Sequence, residues 1–254
     1  MKNIVSLGAV LALAGAAVAG PFSIGTVDAS NGLVAGGLPG TGLDFNGGVV
    51  YQDGFGTPGN TGEPNAAFLP LAPSLANDTY LTVDSGPVSL TYNGSDVAAA
   101  GEAPGSPGFV GGGYRGAWFV SGPFVNAFAT TKDFGNGPEA TWEIFVGRIT
   151  LNGGSLSGHL AVAFAEPGDA NFSTIEGDLN FGAYDAGWDF ITTDNTGRPL
   201  AKAGQGRGYA WVVKTTDTPQ GLVHDIYLQN VPVPTPGAMG LLGVAGLAAI
   251  RRRR

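Results

Sequence analysis

Through the middle of the chain, apolar and polar residues alternate with a period of two. In 140–151, Trp142, Ile144 and Val146 fall on one face until Gly147, where a bulge would reset the register. In 155–166, Leu160, Val162 and Phe164 line one face and Ala161, Ala163 and Ala165 the other. Tyr209, Trp211 and Val213 share a face further on, as do Leu222, His224, Ile226 and Leu228. Such spacing predicts β-strands, and no stretch of 20–230 carries a helical period. Further strands are expected at 49–52, 80–84, 88–92, 116–121, 124–130, 181–191, 208–215 and 222–230. Asn-Gly pairs at 31–32, 46–47, 93–94, 136–137 and 152–153 suit tight turns with positive φ. The clearest predicted hairpin pairs 140–151 with 155–166 across Asn152-Gly153-Gly154. The expected fold class is all-β, a single antiparallel β-sandwich with jelly-roll-like topology as one form. Two Gly/Pro-rich stretches, 54–73 and 101–113, read as long loops.

Both ends break this pattern. Residues 1–19 hold Lys2, an apolar run from Ile4, and Ala17-Val18-Ala19. That is a signal peptide helix whose cleavage site is marked by Ala17 and Ala19. At the other end, 231–254 runs through alternating prolines into the uncharged stretch 238–250 and then Arg251, Arg252, Arg253 and Arg254. Thirteen residues make only about 20 Å of helix, against a hydrocarbon core of roughly 30 Å. No charge occurs between Asp225 and Arg251, however, so an inserted segment can begin near Val231. The arginines would stay inside and the body outside. The domain plan is therefore a signal peptide (1–19), a secreted β-sandwich (20–230) and a C-terminal segment with a membrane helix (231–254).

Pro234, Thr235, Pro236 and Gly237, followed by the apolar run and the arginines, resemble the PEP-CTERM sorting signal of exosortase substrates. The departure is Thr235, where that family has Glu. The resemblance implies export, transient anchoring in the inner membrane, and cleavage near the proline motif by an exosortase-type enzyme. Phe145-Val146-Gly147-Arg148-Ile149-Thr150, then Leu156-Ser157-Gly158, resembles a segment recurring in such exported proteins.

Charge narrows the partners. All 20 acidic residues lie between Asp28 and Asp225, against seven basic ones, so the processed body carries about −13. Such a surface repels phosphate backbones and disfavours nucleic-acid binding. Hydrophobic residues make up 43% of the chain, enough for one real core. Cysteine is absent, so no disulfide contributes.

Candidate chemistry is sparse. The run Gly111-Gly112-Gly113-Tyr114-Arg115-Gly116 fits G-x-G-x-x-G, but it follows a Gly/Pro loop and precedes a strand-like segment, the reverse of a dinucleotide fingerprint. Ser157 and His159 share a strand face, without a nucleophile elbow. Zinc is disfavoured, because the only histidines are His159 and His224 and they are far apart. The acidic loops are the better lead. Asp185, Asp189 and Asp194 are candidate Ca²⁺ ligands, with Glu166, Asp169 and Asn171 as a second group. Trp188, between Gly187 and Asp189, is the candidate for stacking on a sugar ring. The sequence reading is a non-enzymatic surface or matrix protein, with a secreted carbohydrate-binding module for extracellular polysaccharide as the alternative.

Overall fold

The computed structural model describes residues 23–24, 33–35, 41–54, 63–83, 89–92, 109–110, 112–114, 116–119, 125–166 and 173–234. Both cleavage-site alanines, Thr235 to Gly237 and the four terminal arginines therefore lie outside the described residues. The strands in chain order are β1 (Ser23–Ile24), β2 (Leu33–Ala35), β3 (Gly42–Asp44), β4 (Val49–Val50), β5 (Tyr80–Leu81), β6 (Ser89–Tyr92), β7 (Phe109–Val110) and β8 (Gly113–Tyr114). They continue with β9 (Gly116–Phe119), β10 (Val125–Asn126), β11 (Phe128–Asp133), β12 (Pro138–Asn152), β13 (Ser157–Ala165), β14 (Ser173–Phe181), β15 (Arg207–Thr218) and β16 (Gly221–Pro232). Two short 3-10 turns, Pro73–Asn77 and Ala203–Gln205, are the helical elements among the described residues. No helix there is long and apolar enough to cross a membrane. The fold is all-β.

All the strands join in one curled sheet organised around two long strands. β12 pairs with β16 along one edge and takes β11, β5 and β4 in succession along the other. β13 repeats the plan, with β14 on one edge and β1, β2 and β3 on the other. β14 links the two halves. Ser173 to Asp178 run antiparallel to β13, and Leu179 to Phe181 run parallel to β15. The expectation of a purely antiparallel sheet is corrected there. A strand that changes partners midway is one way a sheet turns a corner.

The predicted hairpin is also corrected. β12 and β13 follow one another across Gly153 and Gly154 but are not ladder partners, because both edges of each are already occupied. The 153–154 turn instead carries the chain from one half of the sheet to the other. β3 and β4 make the same crossing beside it through Asn46 and Gly47, both at positive φ. The two crossings touch: Asn46 Nδ2 donates to Ser155 O and to Ser157 Oγ at 3.1 and 2.9 Å. Ladders between consecutive strands include β11–β12, β13–β14 and β15–β16. In the first, Asp133 Oδ1 accepts from the Gly135 and Gly137 N–H groups.

The expected faces hold. Ile144, Val146, Leu160, Val162, Phe164, Tyr209, Trp211, Val213, Ile226 and Leu228 all enter one core. Burying a side chain of this size stabilises by about 1.5–3 kcal/mol. Trp211 Nε1 donates to Leu160 O at 3.1 Å, so the largest core ring leaves no orphan donor and ties β15 to β13. The register shift expected at Gly147 lies between Phe145 and Gly147. A Cβ at Gly147 would come within 3.2 Å of Tyr80 O, so glycine lets β5 approach there.

Candidate functional site

The strand expected at 181–191 ends at Phe181, and the chain leaves the sheet until β15 begins at Arg207. This excursion carries Asp185, Trp188, Asp189 and Asp194. It folds back across the outer face of β15, where Ala210 and Val212 project away from the main core. Trp188, Tyr184 and Phe190 pack there with Phe134 and Val231 as a second, smaller cluster. The rings meet edge to face: Tyr184 lies 5.2 Å from Phe134, 5.3 Å from Trp188 and 5.9 Å from Phe190. The Tyr184 hydroxyl donates to Pro232 O at 2.8 Å, fixing the ring where β16 ends. Burial pushes that phenol up, with Glu139 adding to the shift and Arg207 opposing it. Trp188 is half-buried and edge-packed rather than free in solvent.

The base of the excursion is held by Asn180, which sequence reading passed over. It is buried at the end of β14. Its Nδ2 donates to Trp211 O at 3.0 Å, and its Oδ1 accepts from the Asp189 N–H at 2.7 Å. Asp189 Oδ2 in turn accepts from the Asp178 N–H at 2.7 Å. Asn is common enough that only the register could single this one out.

The three carboxylates expected to share a cation are engaged separately. Asp185 Oδ1 accepts from the Gly187 N–H, closing a local turn. Asp189 is committed to Asp178. Asp194 staples 193–199: its Oδ1 accepts from the Thr196 N–H, the Thr196 hydroxyl and the Arg198 N–H, and its Oδ2 accepts from Arg198 Nε at 3.1 Å. Those donors, the Thr196 hydroxyl first, hold the Asp194 carboxyl well below the usual carboxylate range despite burial. Of the second acidic group, Glu166 accepts from the Ala201 and Lys202 N–H groups and from the Tyr209 hydroxyl; Asp169 and Asn171 lie outside the described residues. No group of three or more His, Asp or Glu side chains placed to hold a metal occurs among the described residues.

His159 gains a carboxylate partner that sequence reading missed. Its Nδ1 lies 2.6 Å from Asp178 Oδ1, directly across the β13–β14 ladder. Its Nε2 faces Glu176 Oε2 at 3.9 Å. Ser157 Oγ accepts from Asn46 instead, so the pair is not arranged as nucleophile and base. The glycine-rich run lies at β8 and β9, where Gly116–Phe119 is a strand and not the helix a dinucleotide site requires.

The outer face of β12 and β16 carries the other ordered polar array. Arg148 makes a two-pronged pair with Asp225, Nε to Oδ1 at 2.6 Å and Nη2 to Oδ2 at 2.9 Å, and lies 5.8 Å from the Tyr80 ring centre. Lys214 sits 3.6 Å over the Tyr227 ring and 3.3 Å from Glu143, which Lys132 also reaches at 3.1 Å. These ion pairs, three cations against two carboxylates, bind the strands together.

Comparison with protein-family models, with curated proteins and with solved structures returns no match. What the fold and the site define is a class: an all-β domain with a half-buried aromatic cluster beside the point where its last described strand ends.

Proposed function

We propose that the chain is a non-enzymatic bacterial surface or matrix protein. It is exported by its signal peptide and sorted through a C-terminal exosortase-type signal, with transient anchoring in the inner membrane. The observation that carries this reading is the order of parts at the tail: the proline motif, the uncharged run 238–250 and the four arginines. The fold is consistent with it. β16 ends at Pro232, and the last backbone bond before the motif runs from the Val233 N–H to Gly206 O at 2.8 Å. The motif therefore begins where the sheet stops. The curled sheet is read as a β-sandwich, with jelly-roll-like topology as one form and β14 as the strand that changes layers.

Intact mass of the protein recovered from its native cell surface tests the sorting. A C-terminus near Pro234 to Gly237 is the expected result. A mass retaining Arg251 to Arg254 overturns processing and makes the tail a permanent anchor.

The second reading is a carbohydrate-binding module. It is favoured by the aromatic cluster around Trp188, whose neighbours Asp185 and Asp189 supply polar groups for sugar hydroxyls. A glycan array separates the two: saturable binding lost in Trp188→Ala supports the module, and no binding to any polysaccharide sinks it.

A further inference from the structure

The sheet has two poles. One holds the end of β16 at Pro232, the start of β15 at Arg207 and the 134–137 turn; the other holds the 219–220 turn and the 153–154 crossing. They are separated by the length of β16, roughly 36 Å at about 3.3 Å per residue. The aromatic cluster covers the half of β15 nearer the first pole, the one from which the tail departs: the rings pack on Ala210 and Val212, and Tyr184 bonds Pro232 O. Residues 233–237 separate Pro232 from the apolar run. Even fully extended, that stretch spans at most about 20 Å. An inserted tail therefore holds this pole within about 20 Å of the bilayer.

We propose that Tyr184, Trp188 and Phe190, backed by the buried Phe134, contact the lipid headgroup layer and seat the domain on the membrane while the tail is inserted. This rests on the reading of the tail as a membrane segment. Tyr and Trp rings with an apolar body and a polar tip settle at that level of a bilayer. The carboxylates around the cluster limit the contact to the hydrated headgroup layer, because only Glu139 is paired with a cation and the aspartates keep their charge while bonded to backbone. Asp133 closes its turn, Glu139 pairs with Arg207 at 2.9 Å, and Asp185 and Asp189 accept backbone N–H groups. A sugar remains a competing occupant for the freed domain, and a second copy is another.

The absence of cysteine makes the test direct. Single-cysteine forms of the full chain, Ala186→Cys at an exposed position two residues before Trp188, Thr216→Cys at an exposed position near the far pole and Gly243→Cys in the tail, are spin-labelled and reconstituted into phosphatidylcholine vesicles. Relaxation by lipid-dissolved oxygen is compared with relaxation by a water-soluble nickel chelate. The expected result is a Gly243 label in hydrocarbon, an Ala186 label relaxed several-fold more by oxygen than a free aqueous label, and a Thr216 label that behaves as one in water. A Gly243 label in hydrocarbon with both domain labels in water overturns the proposal and leaves the tail reading intact. Dipolar broadening between Ala186 labels without lipid exposure assigns the face to a second copy and overturns it as well. A Gly243 label in water overturns the tail reading and the proposal together.

Discussion

Single residues hold the excursion and the sheet in register. Asn180 satisfies a carbonyl of β15 and an N–H of the loop from one buried amide. Asn180→Ala leaves the Asp189 N–H and the Trp211 carbonyl without that partner and is expected to cost about 2 kcal/mol, measured by urea unfolding. His224 gives a pH signature. It is buried, its Nδ1 meets the Thr215 hydroxyl at 2.9 Å, and its Nε2 has no hydrogen-bond partner. Burial pushes the imidazole down, with Asp225 beside it pulling more weakly the other way. The folded state thus binds a proton less readily than the unfolded chain, whose histidine titrates near 6.5. The stability from neutral His224 is fully present above that pH and is lost as pH falls through it. The Tm of the native chain should drop between pH 7 and pH 5 by more than that of His224→Leu; parallel curves would refute this.

At the scale of elements, the turns decide which strands meet. Gly154 lies at φ +63°, and a Cβ there would fall 2.1 Å from Gly48 N. Gly154→Ala is expected to destabilise by about 3 kcal/mol, because the side-by-side crossings cannot separate without breaking the Asn46 bonds. A thermal scan within error of the native one would show that the crossings are pliable. The 193–199 loop depends on one carboxylate. Asp194→Ala removes the acceptor for four donors, and limited proteolysis should then cut first at 194–198. The same site adds acid sensitivity: Asp194, held below the usual carboxylate range, contributes stability above the unfolded carboxylate value, and that contribution is lost as pH falls through its own lower one.

At the scale of the whole molecule, the absence of disulfides leaves stability to the core wrapped by the curled sheet. Because Asp185, Asp189 and Asp194 serve three separate hydrogen-bond sets, these three together should hold no calcium. The Tm in EDTA and in millimolar Ca²⁺ is expected to agree within a degree or so, since a ligand binding only the native state at 100 times its Kd would contribute about 2.7 kcal/mol. A clear upward shift in Ca²⁺ would reinstate a cation site.

The sequence by itself determined what depends on local periodicity. The strand faces around Ile144, Leu160, Trp211 and Ile226, and the bulge at Gly147, were legible because a period of two sorts side chains with no knowledge of the partner strand. The ends were read from contiguous residues alone, as a signal peptide and a sorting tail, and both lie outside the described residues. The three aspartates looked alike in sequence because nothing local distinguishes a carboxylate aimed at its own backbone from one aimed at an ion. Only the tertiary structure decided the pairing. Strands β12 and β13 are neighbours in sequence yet lie in different halves, β14 changes partners at Leu179, and Asp178 meets His159 across a ladder. Those choices follow from which edges are still open when distant segments compete for them, and edge occupancy is a property of the assembled sheet.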